Sequence, residues 1–448
     1  MRFPHGPKHF AVVAAIVFAV SLLKGLRMPN LWSATHMTFN YSQGFIRRGL
    51  FGEILRTVGG QHPYNYNRLA LIAVLMFVAM AVTMVILIKR ALATDPEDLG
   101  FKAAVLVFAA SSGIVTLAHF IGYLDDVGLV LVLGVILVSA RSSGRYLIFL
   151  LGIPVILFVA FIHESQVLML APTLLFAMIC HIVVQFRQAG ISRRAKSVLV
   201  ASAAVGFIAA FVTSTAIGIL GTKSPDVINA LQASVAKVAN FPLRGDGFEA
   251  LYRPVKDNIF KLMPWFWSNP ENKTYLVLSM ISAFPANAFL IFYGVRLIGR
   301  LGLSKIARTI VTTAFVAAAL APVSLNFMGW DTTRWNAISL MACFYCIATV
   351  KLYFSSTVPA EPSVERGSER GAQPPGRRGA IWETGSDLRV ESPLVLTLAA
   401  VAIVLGLCSS NYDRFLFDGY TTQWFPFQGQ VNSLIELFKG HFTFMPRG

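Results

Sequence analysis

Long apolar runs separated by short polar breaks set the pattern of this 448-residue chain. Eleven runs stand out, at about 10–26, 69–88, 102–120, 126–140, 146–162, 167–186, 197–220, 274–295, 309–327, 335–354 and 392–409. An apolar stretch of about 17–25 residues is long enough to cross a bilayer as a helix. The pattern predicts an all-α, polytopic integral membrane protein with about 11 transmembrane helices, in a range of about 10–12. A membrane β-barrel would show segments of about 10 residues of alternating polarity instead. The fourth and fifth runs are short enough to be tilted or paired as hairpins. The break between the fifth and sixth, His163-Glu164-Ser165-Gln166, is a very short turn. It reads as a hairpin, with one broken helix through that point as the alternative.

The basic residues orient these runs, because Lys and Arg concentrate in the cytoplasmic loops of membrane proteins. Alternate short connections carry Lys89, Arg90 and Lys102, then Arg141 and Arg145, then Arg187, Arg193, Arg194 and Lys196, then Arg296, Arg300, Lys305 and Arg308. The intervening ones carry none at Gly122–Asp126, none at His163–Gln166, and only Arg334 near 329–335. This asymmetry predicts that the N-terminus lies inside and the C-terminus outside. Residues 1–355 read as the main transmembrane domain, with outer loops 27–68 and 221–273. Residues 356–391, rich in Pro, Gly and Arg and poor in apolar side chains, read as a disordered cytoplasmic linker. Residues 392–448 read as a last transmembrane helix and an outer aromatic tail. Within the 221–273 loop, Val227–Leu231 is a candidate interfacial helix, and Trp265-Phe266-Trp267 suits the headgroup boundary.

Composition fits this picture: 55% of residues are hydrophobic and only 13% are charged. A formal charge of +16 invites a nucleic-acid partner. Most Lys and Arg residues sit in loops between spans, where anionic lipid headgroups account for them, and nucleic acid is excluded as a partner. The four cysteines lie in or at the ends of apolar runs. Cys343-x-x-Cys346, inside a span, reads as packing rather than as a redox or zinc pair. The first run follows Arg2 and Lys8 as a signal peptide would, but no clear small-x-small cleavage site follows it, so it reads as a retained helix.

Against this background four polar islands carry the candidate chemistry, and all four fall on the predicted outer face. Ionisable groups at membrane depth are costly and mark a site by default. The first island, Asn40–Gly49, contains Tyr41 and the pair Arg47 and Arg48, followed by Glu53. A helix over 45–57 would lie along the membrane surface, with Arg48 and Gly52 on one face and Gly49, Glu53 and Arg56 on another. Adjacent arginines can grip a phosphate bidentately or snorkel to lipid. The second island holds Asp125 and Asp126 at the start of a span. One carboxylate suffices to cap a helix, so the second suggests a general base or a divalent-metal clamp. The third holds His163 and Glu164, either a polar turn or a contact for protons, metal or sugar hydroxyls. The fourth, Gly329–Trp335, places Asp331 three residues before Arg334 between Trp330 and Trp335. It reads equally as a salt bridge between belt tryptophans and as a carbohydrate subsite.

Tyr41-x-x-Gly44-Phe45-Ile46-Arg47-Arg48-Gly49-Leu50 with Gly52, Asp125 after an outer Gly-Tyr, His163-Glu164 in an outer turn, and Gly329-x-Asp331-x-x-Arg334-Trp335 together resemble uncharacterised multi-span proteins of bacterial capsule, O-antigen and exopolysaccharide clusters. More distantly, the layout is similar to the GT-C superfamily of membrane glycosyltransferases. The resemblance implies a GT-C-like helical bundle, a lipid-phosphate sugar donor and an acidic motif on an outer loop. That motif usually sits in the first large outer loop, where this chain offers only Glu53. The base therefore stays open among Glu53, Asp125 and Asp126.

The expected function is that of a membrane glycosyltransferase or polysaccharide polymerase. It moves a sugar or oligosaccharide from a polyprenyl-phosphate or polyprenyl-pyrophosphate carrier to a hydroxyl acceptor, a glycan or lipid, on the periplasmic face. Arg47, Arg48 and Arg334 are the phosphate contacts. Tyr41, His163, Glu164, Trp330 and Asp331 shape the substrate subsite. No cofactor is demanded, a divalent metal is compatible, and membrane lipids and polysaccharide-assembly proteins are the expected partners. The rivals are a lipid-linked oligosaccharide flippase or transporter, and a membrane acyltransferase working through His163. A transporter would hold ionisable groups near mid-span in matched halves, and this chain shows no such halves.

Overall fold

A computed structural model describes residues 7–25, 28–60, 63–142, 144–188, 190–329, 331–355 and 393–408. Trp330, the 356–391 segment and the tail from 409 on, for which the sequence predicts a subsite residue, a linker and an outer aromatic tail, lie outside these residues.

The described residues are helical, without a strand; Tyr64 and Ala239 form an isolated β-bridge. In chain order the helices are α1 (Pro7–Gly25), α2 (Leu31–His36), α3 (Leu50–Val58), α4 (Tyr66–Thr94), α5 (Leu99–Ala110), α6 (Ser112–His119) and α7 (Asp125–Ser139). They continue with α8 (Leu147–Ile162), α9 (Gln166–Arg187), α10 (Arg193–Leu220), α11 (Pro225–Ala236), α12 (Gly245–Tyr252), α13 (Val255–Asp257) and, after a π-helical stretch Asn258–Leu262, α14 (Met263–Ser268). The last four are α15 (Pro270–Gly299), α16 (Lys305–Leu320), α17 (Thr332–Ser355) and α18 (Pro393–Cys408), with a 3₁₀ turn over Ala321–Phe327.

Each of the eleven apolar runs falls on a helix or on an end-to-end helix pair. Seven are long and apolar enough to cross a membrane: α4, α5 continued by α6, α9, α10, α15, α16 with its 3₁₀ turn, and α17. α1, α7, α8 and α18 are shorter. The third run breaks at Ser111, whose extended ψ of 154° separates α5 from α6.

α17 is the central helix. Nearly every residue from Thr332 to Phe354 is buried, and α4, α6, α9, α15 and α16 surround it. α4 and α10 instead turn Leu71, Leu75, Val205, Ile208 and Phe211 outward, as peripheral helices do in lipid. α8 ends at His163, whose extended backbone (φ −162°, ψ 116°) reverses the chain, and α9 packs back along α8. The turn is thus a hairpin rather than a broken helix. In the first polar segment, helix begins at Leu50 rather than Phe45. Gly44 (φ 96°) and Arg48 (φ 62°) both occupy left-handed conformations that an α-helix cannot accommodate. The proposed pairing of Arg48 with Gly52 on one helical face is therefore corrected, while Arg56 and Glu53 do pair on α3, at 2.6 Å.

Candidate functional site

α2, the starts of α7 and α17, the end of α8 and the loop before α3 meet at one end of the bundle. They enclose a cavity lined by Ser33, His36, Arg48, Tyr123, Leu124, Asp125, Ile162, His163 and Arg334. Its central space, ≈ 10 Å³ for the centre of a water molecule, holds about one water and no sugar ring. All four islands contribute a side chain.

Arg48 is aimed by its backbone. A non-glycine residue at positive φ costs roughly 1–3 kcal/mol and persists only where its surroundings impose it. Here the left-handed turn sends Arg48 across to Glu164 in a forked pair, with Nη2 donating to Oε1 at 2.8 Å and Nε to Oε2 at 3.0 Å. Burial alone would raise the Glu164 carboxyl, but Arg48, with His163 and Arg47, holds it well below its usual 4.5. Ser214 of α10 donates to the Glu164 carbonyl at 3.1 Å, fixing the hairpin from a third helix.

Arg334, at the first turn of α17, is held by two carboxylates. Its Nε lies 3.0 Å from Oδ2 of Asp125, and its Nη1 donates to Oδ2 of Asp331 at 2.7 Å. The guanidinium also stands 5.1 Å above the Tyr123 ring, a cation–π distance. Gln166, at the start of α9, donates to the Leu124 carbonyl at 2.8 Å. The lining thus presents two arginines and one carboxylate to the cavity, with Glu164 and Asp331 standing behind as supports.

His163 accepts the Ser165 backbone N–H on Nδ1 at 3.2 Å, with the Ser165 hydroxyl 2.7 Å away. A neutral imidazole with an occupied Nδ1 lone pair carries its proton on Nε2. Burial and Arg48 hold this ring well below its ordinary 6.5, so it is neutral at pH 7.

Other expected site residues lie elsewhere. Arg47 does not line the cavity: its Nη1 stands 3.8 Å from Oε1 of Glu164, behind Arg48, its Nη2 donates to the Arg253 carbonyl at 2.7 Å and to that of Ala250, and its backbone N–H donates to the Gly221 carbonyl at 3.1 Å. It is buried, desolvation pulls it down to about 10, and it ties the first polar segment to 221–273. Glu53 faces Arg56, accepts the Tyr41 N–H at 3.0 Å, and is held below its ordinary value chiefly by Arg56. Tyr41 stacks on Phe45 at 5.6 Å, outside the lining. Asp126 is buried but does not line the cavity, and its Oδ2 has no hydrogen-bond partner among the described residues. Because Asp125 is taken by Arg334 and Asp126 lies outside, the adjacent pair does not form a two-carboxylate metal clamp. Among the described residues no three His, Cys, Asp or Glu side chains are grouped to hold a metal ion.

Ser33 and His36 of α2 line the cavity although their sequence neighbourhood carries no charge. The readable signal was Asn30, which caps α2 by accepting the Ser33 N–H at 2.8 Å. A capped short helix next to an arginine pair, with a histidine at its end, marks a site element.

Compared with protein-family models, with curated proteins and with solved structures, the chain matches none of them.

Proposed function

We propose that this chain is a membrane glycosyltransferase or polysaccharide polymerase that uses a polyprenyl-phosphate or polyprenyl-pyrophosphate sugar donor. It passes the sugar to a hydroxyl acceptor on the periplasmic side of a bacterial inner membrane. The observation that carries this reading is the meeting of Arg48, Asp125, His163 and Arg334 in one buried cavity where apolar helices end. A lipid-linked sugar has that same division: an apolar tail for the helix surfaces, an anionic phosphate for the arginines, and hydroxyls for the remaining polar groups.

In this reaction Arg48 and Arg334 offset the charge that grows on the departing phosphate. Asp125 and Asp331 align Arg334, and Glu164 aligns Arg48. His163 donates its Nε2–H to a sugar or phosphate oxygen. The donor enters only when the lining parts, because the closed cavity holds about one water. The reading carries with it eleven crossing helices in a GT-C-like arrangement. It puts the cytoplasmic face at the opposite end, where Arg141, Arg145, Arg187 and Arg193 lie at helix termini.

The test is turnover by purified full-length protein given polyprenyl-phosphate- and polyprenyl-pyrophosphate-linked hexoses with a glycan acceptor. Wild type is expected to form product, and Arg48→Ala to lose about 10²–10³-fold in kcat, as loss of one charge-stabilising donor does. In inverted sealed vesicles product should form only after detergent. Full activity of Arg48→Ala, or no product with any of these donors, would contradict the reading.

A further inference from the structure

Glycosyl transfer requires the acceptor hydroxyl to lose a proton as its oxygen bonds to the sugar carbon. Asp125, His163 and His36 are the lining groups that can take one. Asp125 is committed: Arg334 stands 3.0 Å from its Oδ2, and Gln166 also hydrogen-bonds to it. Those contacts make Asp125 the support of Arg334 rather than a free acceptor. His163 has spent its lone pair on Ser165, which leaves its free nitrogen a donor.

His36 differs from both. Trp32 and Phe39 flank its ring, with centroids 4.8 and 4.9 Å away, so packing fixes the plane. Its Nε2 is buried and has no hydrogen-bond partner among the described residues. Burying a polar nitrogen unpaired is unfavourable by about 1–3 kcal/mol, a cost that a ligand removes. The residue facing this edge is Gly247 of α12, where a Cβ would come within 3.8 Å of Nε2. With no side chain at Gly247, only backbone packs against this edge of the ring. α12 is held there by the Arg244 N–H, which donates to Thr35 Oγ1 at 3.0 Å.

Resting on the glycosyl-transfer reading, we propose that His36 is the catalytic base and that the acceptor hydroxyl approaches between α2 and α12. The hydroxyl oxygen bonds to the anomeric carbon, and the bond from that carbon to the phosphate oxygen breaks. The electron pair stays on the phosphate, facing Arg48 and Arg334, and the hydroxyl proton moves to His36. The released phosphate or water then takes that proton away.

Burial, Arg48 and Arg334 hold His36 well below 6.5, opposed by Glu164, so the ring is neutral and able to accept at pH 7. The other charged or titratable groups of the lining are Asp125, Tyr123 and His163, and at the start of α12 stands the Arg244–Asp246 pair, whose charges offset each other at 2.7 Å. The test measures kcat against pH for full-length wild type, His36→Ala and His36→Phe with the same lipid-linked hexoses; the phenylalanine keeps the ring packing. Wild-type kcat should fall on the acid side, below pH 6.5. In both variants kcat should drop about 10²–10⁴-fold, the acid limb should vanish, and the donor KM should stay near wild type. A wild-type kcat in His36→Phe, or a lowered kcat with the acid limb intact, overturns the assignment to His36. No turnover by wild type overturns the glycosyl-transfer reading and the assignment with it.

Discussion

Arg47 and Arg48 are neighbours of identical chemistry with opposite fates, and one torsion separates them. With Arg48 at φ 62°, its guanidinium forks onto Glu164 at the cavity, while Arg47 stands behind it, 3.8 Å from Glu164, and binds backbone carbonyls. The sequence shows two adjacent arginines but not the left-handed turn, so their division was not legible. The same holds for Asp125 and Asp126, which successive helix positions turn to different surroundings. By contrast, the pairing of Asp331 with Arg334 was legible, because residues three apart on a helix face each other. Glu164 carries a testable stability term. Its folded carboxyl titrates well below 4.5 because of Arg48, so its contribution is complete above about pH 4.5 and is lost as pH falls through the depressed value. Glu164→Gln also leaves Arg48 without its partner. The expected loss is near the lower end of roughly 3–5 kcal/mol, since both side chains keep some exposure, at 17% and 15%. Thermal denaturation of the two proteins should show a constant gap from pH 7 to about 4.5 and a narrowing one below. A gap that widens in acid would contradict the pairing.

At the scale of elements, the apolar runs announced the helices, because length and composition decide a membrane helix with little help from tertiary context. The polar connectors were less legible. A helix from Phe45 was expected, but the glycines and the left-handed Arg48 delay it to Leu50. α2 went unread because a helix of six residues has too little periodicity to announce itself. The connectors hold to one another through Arg47, through Asn240, which accepts the Tyr66 N–H at 2.7 Å, and through Arg244. Arg47→Ala should therefore loosen residues 245–253, seen as faster amide exchange there. Arg47→Lys should restore protection only in part, since a lysine has one nitrogen and loses the second one that stands beside Glu164. Unchanged exchange together with weakened donor binding would return Arg47 to a phosphate role.

Over the whole molecule, α17 links the two ends of the bundle. At one end Arg334 joins Asp125 and Asp331. At the other, Lys351 donates to Asp98 at 2.8 Å, and the Tyr293 hydroxyl donates to the same carboxylate at 2.9 Å. Buried ion pairs of this kind fix the register of a central helix rather than add much stability. A register set at both ends holds Arg334 against the cavity while the surrounding helices meet lipid. That the four islands share one end was legible, since alternate breaks between spans fall on the same side. That they share one cavity was not, because contact across a bundle depends on which helices neighbour one another. The central claim is that chemistry occurs in this cavity, and adjacent carboxylates provide its sharpest test. The measurement is kcat for sugar transfer from a polyprenyl-linked donor by Asp125→Asn and by Asp126→Asn. Asp125 lines the cavity and aligns Arg334, so its variant should fall about 10²-fold or more. Asp126 lies outside with an unpartnered oxygen, so its variant should stay within a few-fold of wild type. Equal activity of both variants with wild type, or the larger loss at Asp126, would contradict the account.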